Sequence, residues 1–228
     1  MSLKKNEAIQ GILTDFENLS NLVLEQMDIL ESIMTSGEIS VPDDLLEKIN
    51  ANEEDIDRKE VKLSDKIINT IVLYHPMASE LRRIMACYRI VISLERIGDL
   101  VLNIINFTRK IKSPSIYEKL QEVLHNMTFL SNKMVKKSLL SYLNNDRELA
   151  IWTLKNEGVF DESNHKLLKK ILSKKDNEEG RKHLLISIIN IKEMMSNIER
   201  IADHATNIAE AAIYSLEGKD IRHNKIPE

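Results

Sequence analysis

The 228-residue chain has few of the residues that punctuate β structure and few that make cross-links. It holds 6 Gly and 4 Pro, too few for the frequent turns of a sandwich or barrel. Its single cysteine, Cys87, excludes intrachain disulfides and thiolate metal clusters. Cys87 falls on the apolar face of its segment, which reads as a buried structural thiol. Aromatic residues make up 4% of the chain. A formal net charge of -4 gives no electrostatic case for nucleic-acid binding. No uninterrupted apolar run approaches membrane-spanning length, and the opening MSLKKNEAIQG lacks an apolar signal core, so a cytoplasmic location is expected. Gly-rich phosphate loops, nucleophile elbows and a Ser/His/Asp arrangement are also missing, so the expectation is a protein that is not an enzyme.

Leu, Ile, Met, Lys and Glu are abundant, in amphipathic stretches of period 3.6. They predict an all-α fold of six long helices at about 5–35, 43–74, 76–111, 114–143, 145–175 and 178–217. The intervening breaks are SGEISVPDD, the His75-Pro76 pair, KSPS, LNND and KDNEEG. Pro76 suits the first turn of the third helix, and Ser113-Pro114 opens the fourth. Long helices joined by short turns pack as antiparallel neighbours, giving helical bundles.

One phrase is written twice: LERIGDLVLNI at 94–104 and IERIADHATNI at 198–208. Each copy carries a Glu and an Asp four residues apart, hence on one helical face. The chain contains four Glu-x-x-x-Asp pairs: Glu53/Asp57, Glu95/Asp99, Glu157/Asp161 and Glu199/Asp203. The step from the first pair to the third equals that from the second to the fourth, 104 positions. Such a grid indicates duplication of a three-helix unit, with bundles expected at 1–112 and 113–228.

In an antiparallel hairpin, residues equidistant from the turn lie level. Asp57 and Glu95 each lie 19 positions from Pro76, and Glu53 and Asp99 each lie 23. The same offsets relate Asp161, Glu199, Glu157 and Asp203 to Gly180. Four carboxylates are therefore expected to converge in each half, on the rim of the apolar stripe. Four like charges in one groove repel unless a cation neutralises them or some stay protonated. Oxygen-rich sites suit Fe, Mn, Mg or Ca, and Zn also accepts carboxylates. Asn103 and Asn207, one turn further on, are candidate neutral oxygen ligands. The competing readings are a solvated acidic flank, and a carboxylate-bridged enzyme such as a di-iron oxidase or a phosphohydrolase.

At these residues the chain resembles the PhoU family of regulators of phosphate uptake and signalling. The matching phrases are HPMASELRRI (75–84), SLERIGDLVLNI (93–104) and NIERIADHATNIAEAAIYSLEGKDIRH (197–223), and the two-by-three helix plan extends the likeness over nearly the whole chain. The resemblance implies two tandem three-helix bundles with multinuclear iron or zinc clusters on their surfaces. Carried over by motif, the ligands are Glu53, Asp57, Glu95, Asp99, Glu157, Asp161, Glu199 and Asp203. The family often has Asp where this chain has Glu53 and Glu157, and the longer arm could alter cluster geometry. The resemblance further implies a homodimer at the inner membrane face. Its partners would be a phosphate ABC transporter and a sensor histidine kinase, and its role negative regulation of the phosphate-starvation response.

Other features carry less. Glu122/His125 and Glu162/His165 are both Glu-x-x-His, as in di-iron bundles, but helical phase places them opposite the apolar stripes. His204, Arg96 and Arg200 fall on the polar face, so His204 reads as a surface histidine. Trp152 reads as a core residue. Gly98 and Ala202, small at matched positions, allow close helix approach.

Overall fold

The computed structural model describes residues 2–160 and 178–222. Among them every regular element is helical. The helices are α1 (Ser2–Ser36), α2 (Asp43–Tyr74), α3 (Ser79–Thr108), α4 (Pro114–Asn144), α5 (Arg147–Lys155) and α6 (Glu178–Glu217), with a 3-10 turn at Glu157–Phe160 between the last two. Local chemistry explains most ends. His75 closes α2 in the left-handed region at φ 45°, and Pro76 behind it cannot continue a helix. Pro114 supplies the first residue of α4, where its missing N–H costs nothing. The Asp146 carboxylate caps α5 by accepting from the backbone N–H groups of Glu148 and Leu149.

Two expectations need correction. The third helix starts at Ser79 rather than Pro76, because His75 and Ala78 both take positive φ and turn the chain first. The fifth helix does not run from 145 to 175: it stops at Lys155 and gives way to the 3-10 turn. The sequence there reads NEGVF, and Gly158 has no side chain to offset the entropy of fixing its backbone in a helix.

Helices α1, α2 and α3 pack mutually, as do α4, α5 and α6. The two bundles meet through α3 against α6 and α1 against α4, so each helix of these pairs packs on its own counterpart in the repeat. The 104-residue step reappears as a contact: Asn132 Nδ2 donates to Asp28 Oδ1 at 2.9 Å. Equivalent residues that touch lie close to a pseudo-two-fold axis. A large core spans both bundles, running from Phe16, Ile56 and Leu94 to Leu124, Ile198 and Ile208, and a smaller cluster of Ala150, Ile151, Leu154, Ala209 and Ile213 joins α5 to α6. Cys87 lies within the large core, and burial pushes its thiol up to about 12. The connector between α3 and α4 is pinned to α6, with Ser187 Oγ accepting from the backbone N–H groups of Lys112 and Ser113 at 2.9 Å each.

Candidate metal centre

The buried stripe of α2 (Ile49, Ile56, Leu63, Ile67) holds that helix against α1 and α3. Gly98 of α3 allows the approach: a Cβ there would lie 3.2 Å from Ile56 Cδ1. That close crossing sets the level at which the flanking carboxylates meet. Glu53 lies close enough to Asp57 and Asp99 for their charges to act on its carboxyl. Burial first, then the charges of Asp57 and Asp99, push the Glu53 carboxyl above its ordinary value. Glu95 is raised as well, first by burial and then by Asp99, with Asp57 adding to the effect. The α2–α3 hairpin thus brings the four acids of the first half to one level.

Arg96 is the residue this arrangement adds to the sequence reading. Its guanidinium lies 3.2 Å from Glu95 Oε2 and 3.1 Å from Asp99 Oδ2, and it lowers Glu95 against the surrounding repulsion. Its place in Leu-Glu-Arg-Ile-Gly-Asp, one after the Glu and three before the Asp, was a signal for this pairing. No group of three or more His, Cys, Asp or Glu among the described residues is arranged to hold an ion. The donor chemistry nonetheless fits a hard cation: four carboxylates at one level, two of them pushed up by burial and by the charges of Asp57 and Asp99. A cation there would relieve the same repulsion that Arg96 partly relieves.

The second half is assembled differently. Glu199 is half-buried and Asp203 exposed, both on α6, while Glu157 is exposed at the start of the 3-10 turn. Asp161 lies outside the described residues. Asn103 and Asn207 are exposed one turn beyond the acids.

His204 is not a surface histidine. It is half-buried, its Nδ1 has no hydrogen-bond partner, and burial followed by the charges of Arg200 and Arg96 lowers its pKa. The two arginines reach one imidazole because α3 and α6 cross in opposite directions, so the two copies of the repeated phrase lie side by side. Trp152 is half-buried at the edge of the core, covered by Lys137 and Lys133 with Nζ 4.2 Å and 5.3 Å from the ring centroid. Glu122 is exposed, and His125 bonds Thr35 Oγ1 across the α1–α4 seam at 3.1 Å. Glu162 and His165 lie outside the described residues. The seam itself had no sequence motif. There burial works against the Asp28 carboxylate, but hydrogen bonds from Lys136 and Asn132 and the Lys136 charge hold it below the usual range.

Duplicated three-helix bundles with paired carboxylates at one level of a hairpin define an all-α protein of the bundle class with a candidate cation face. The PhoU domain matches residues 16–108 and again 124–212, and the chain belongs to the PhoU family. A phosphate-specific transport system accessory protein PhoU homolog of Aquifex aeolicus is 32% identical, over 92% of this chain and 91% of that protein. One of the same description from Xylella fastidiosa is 28% identical, over 95% of this chain and 86% of its own length. The crystal structure of PhoU from Pseudomonas aeruginosa superposes with a TM-score of 0.79 at 22% identity, covering 94% of this chain and 99% of that one. The phosphate transport system regulatory protein PhoU from Streptococcus pneumoniae gives the same TM-score at 20% identity. At these identities the two structures speak to the fold.

Proposed function

We propose that this chain is an accessory regulator of phosphate uptake that uses the α2–α3 carboxylates to hold a metal cation. The observation that carries the regulatory reading is the double PhoU match, with relatives described as accessory proteins of the phosphate-specific transport system over nearly the full chain. The cation reading rests on Glu53, Asp57, Glu95 and Asp99. Glu199 and Asp203 are the described part of a second set, with Glu157 and Asp161 as its other proposed members. Bound iron, zinc or another hard cation would supply positive charge to these oxygens. The chain's own residues gather the carboxylates, half-bury Glu53 and Glu95, and keep Arg96 as an alternative counter-ion. The finer reading makes the chain a cytoplasmic homodimer and a negative regulator, joining a phosphate ABC transporter to a sensor histidine kinase. It has no catalytic role.

The test is a double variant, Asp99→Ala with Asp203→Ala, in cells whose own copy is deleted. Both positions lie on the rim of the core, so the variant should fold. It should bind metal weakly and fail to repress phosphate-starvation genes at high phosphate. Normal repression without metal would sever the cation from the regulatory role. Turnover of phosphate esters or dioxygen that is lost in the variant would replace this reading with an enzymatic one.

A further inference from the structure

A polar side chain is buried beneath the first set of acids. Gln26 of α1 is fully buried, and neither its Nε2 nor its Oε1 has a hydrogen-bond partner. Its neighbours fix where the amide lies. A Cβ at Gly98 would stand 3.2 Å from Ile56 Cδ1 and 3.6 Å from Gln26 Oε1. Ile56 falls between Glu53 and Asp57 in α2, and Gly98 falls between Glu95 and Asp99 in α3. The amide is therefore on the core side of the two helical turns that carry all four carboxylates. Asn52, which precedes Glu53, shares a helix face with Ile56 one turn on. Its Nδ2 is also buried without a partner.

An unpartnered amide in a core costs stability that an apolar side chain of similar size does not. The bundle does not require an amide at this point. The equivalent position 104 residues on is Leu130, which packs against the core of the second half. A buried polar group with no partner in one state of a protein calls for a state in which it has one. The acids beside Gln26 supply such a state. Like charges hold four carboxylates apart in the absence of a cation, and a cation removes that repulsion. Carboxylates that ligate a metal are in turn held by hydrogen-bond donors behind them.

We infer that Gln26 is a positioning residue of the α2–α3 site, donating from Nε2 to the carboxylates from the core side in the cation-loaded form. Asn52 Nδ2 offers the donor that Gln26 Oε1 needs in the same state. This deepens the cation reading and rests on it. The experiment compares the full-length wild type with Gln26→Leu, the side chain that the second half carries, and with Gln26→Met. Thermal midpoints of the metal-free proteins are measured first, then Zn²⁺ affinity by calorimetry. Both variants should keep or raise the metal-free midpoint, because they remove an unpartnered amide. Both should bind Zn²⁺ roughly tenfold or more weakly. A glutamine with a merely structural role would give the reverse, a lower midpoint and an unchanged affinity. Zn²⁺ binding by either variant as tight as the wild type's would overturn the proposal. A lower metal-free midpoint would overturn it too, since the amide would then have its partner without a cation. A wild type that binds no Zn²⁺ would overturn the cation reading, and this proposal with it, a result read without any variant.

Discussion

Residues 52–57 and 156–161 occupy the same place in the two halves, yet they read NEEDID in one and NEGVFD in the other. In the first half α2 runs through this stretch without interruption, and Glu53 and Asp57 come level with the acids of α3. In the second, α5 ends at Lys155 and Glu157 opens a 3-10 turn. Gly158 stands where the first half has Glu54. Duplication has kept the acids at their positions while the backbone beneath them diverged. A carboxylate grid in sequence therefore locates candidate ligands, but it does not reveal where the helix beneath a pair ends, as α5 does at Lys155.

The largest effect expected from this contrast lies under the first set. Ile56 is fully buried against Gly98, so Ile56→Ala should lower stability by about 2–5 kcal/mol in thermal or urea unfolding. It should also loosen the level of the acids, weakening cation binding beyond what the stability loss alone explains.

A smaller change should come from the counter-ion. Arg96→Gln removes the cation that pairs with Glu95 and Asp99, and metal affinity should rise several-fold in calorimetry because no resident charge has to be displaced. Arg200→Gln, the equivalent substitution on α6, is the comparison and should leave binding at the α2–α3 carboxylates unchanged.

Gly158→Ala tests the break itself. A Cβ at Gly158 meets nothing within 4 Å, so the substitution should gain up to about 1 kcal/mol and raise helical content by circular dichroism. No gain would show that the 3-10 turn is imposed by its surroundings and not by the glycine.

The subtlest difference should appear as pH dependence. Glu53 and Glu95 are raised above the ordinary 4.5, so the native state keeps protons that the unfolded chain releases. Their contribution makes the metal-free protein lose stability as pH rises from the ordinary Glu value through the raised one. Glu53→Gln should flatten that part of the profile, seen as a smaller fall in thermal midpoint as pH is raised above the ordinary Glu value. An unchanged slope would mean that the carboxyls are not coupled as described.

The helices of the first half were legible because period, caps and acid spacing all agreed there. Level pairing around Pro76 worked even though α3 starts three residues later, since a shift at the turn leaves Glu53 opposite Asp99. The break after Lys155 was not legible: the acid grid continued across it, and a single glycine is a weak signal against a long periodic stretch. His204 was misplaced because helical phase within α6 says nothing about α3 crossing over it. The α1–α4 seam, with Asp28 beside Asn132, was invisible for a related reason. Contact between bundles depends on tertiary packing that no local pattern encodes.

Calorimetric titration of metal-free protein with Zn²⁺ or Fe²⁺ tests the central claim most directly, namely that the α2–α3 carboxylates hold a cation. It should compare the wild type, Glu53→Gln with Asp99→Asn, and Glu199→Gln with Asp203→Asn. The account predicts that the wild type binds and that the first double variant loses that binding while remaining folded. Binding by that variant as tight as the wild type's, or no binding by the wild type at all, would contradict it.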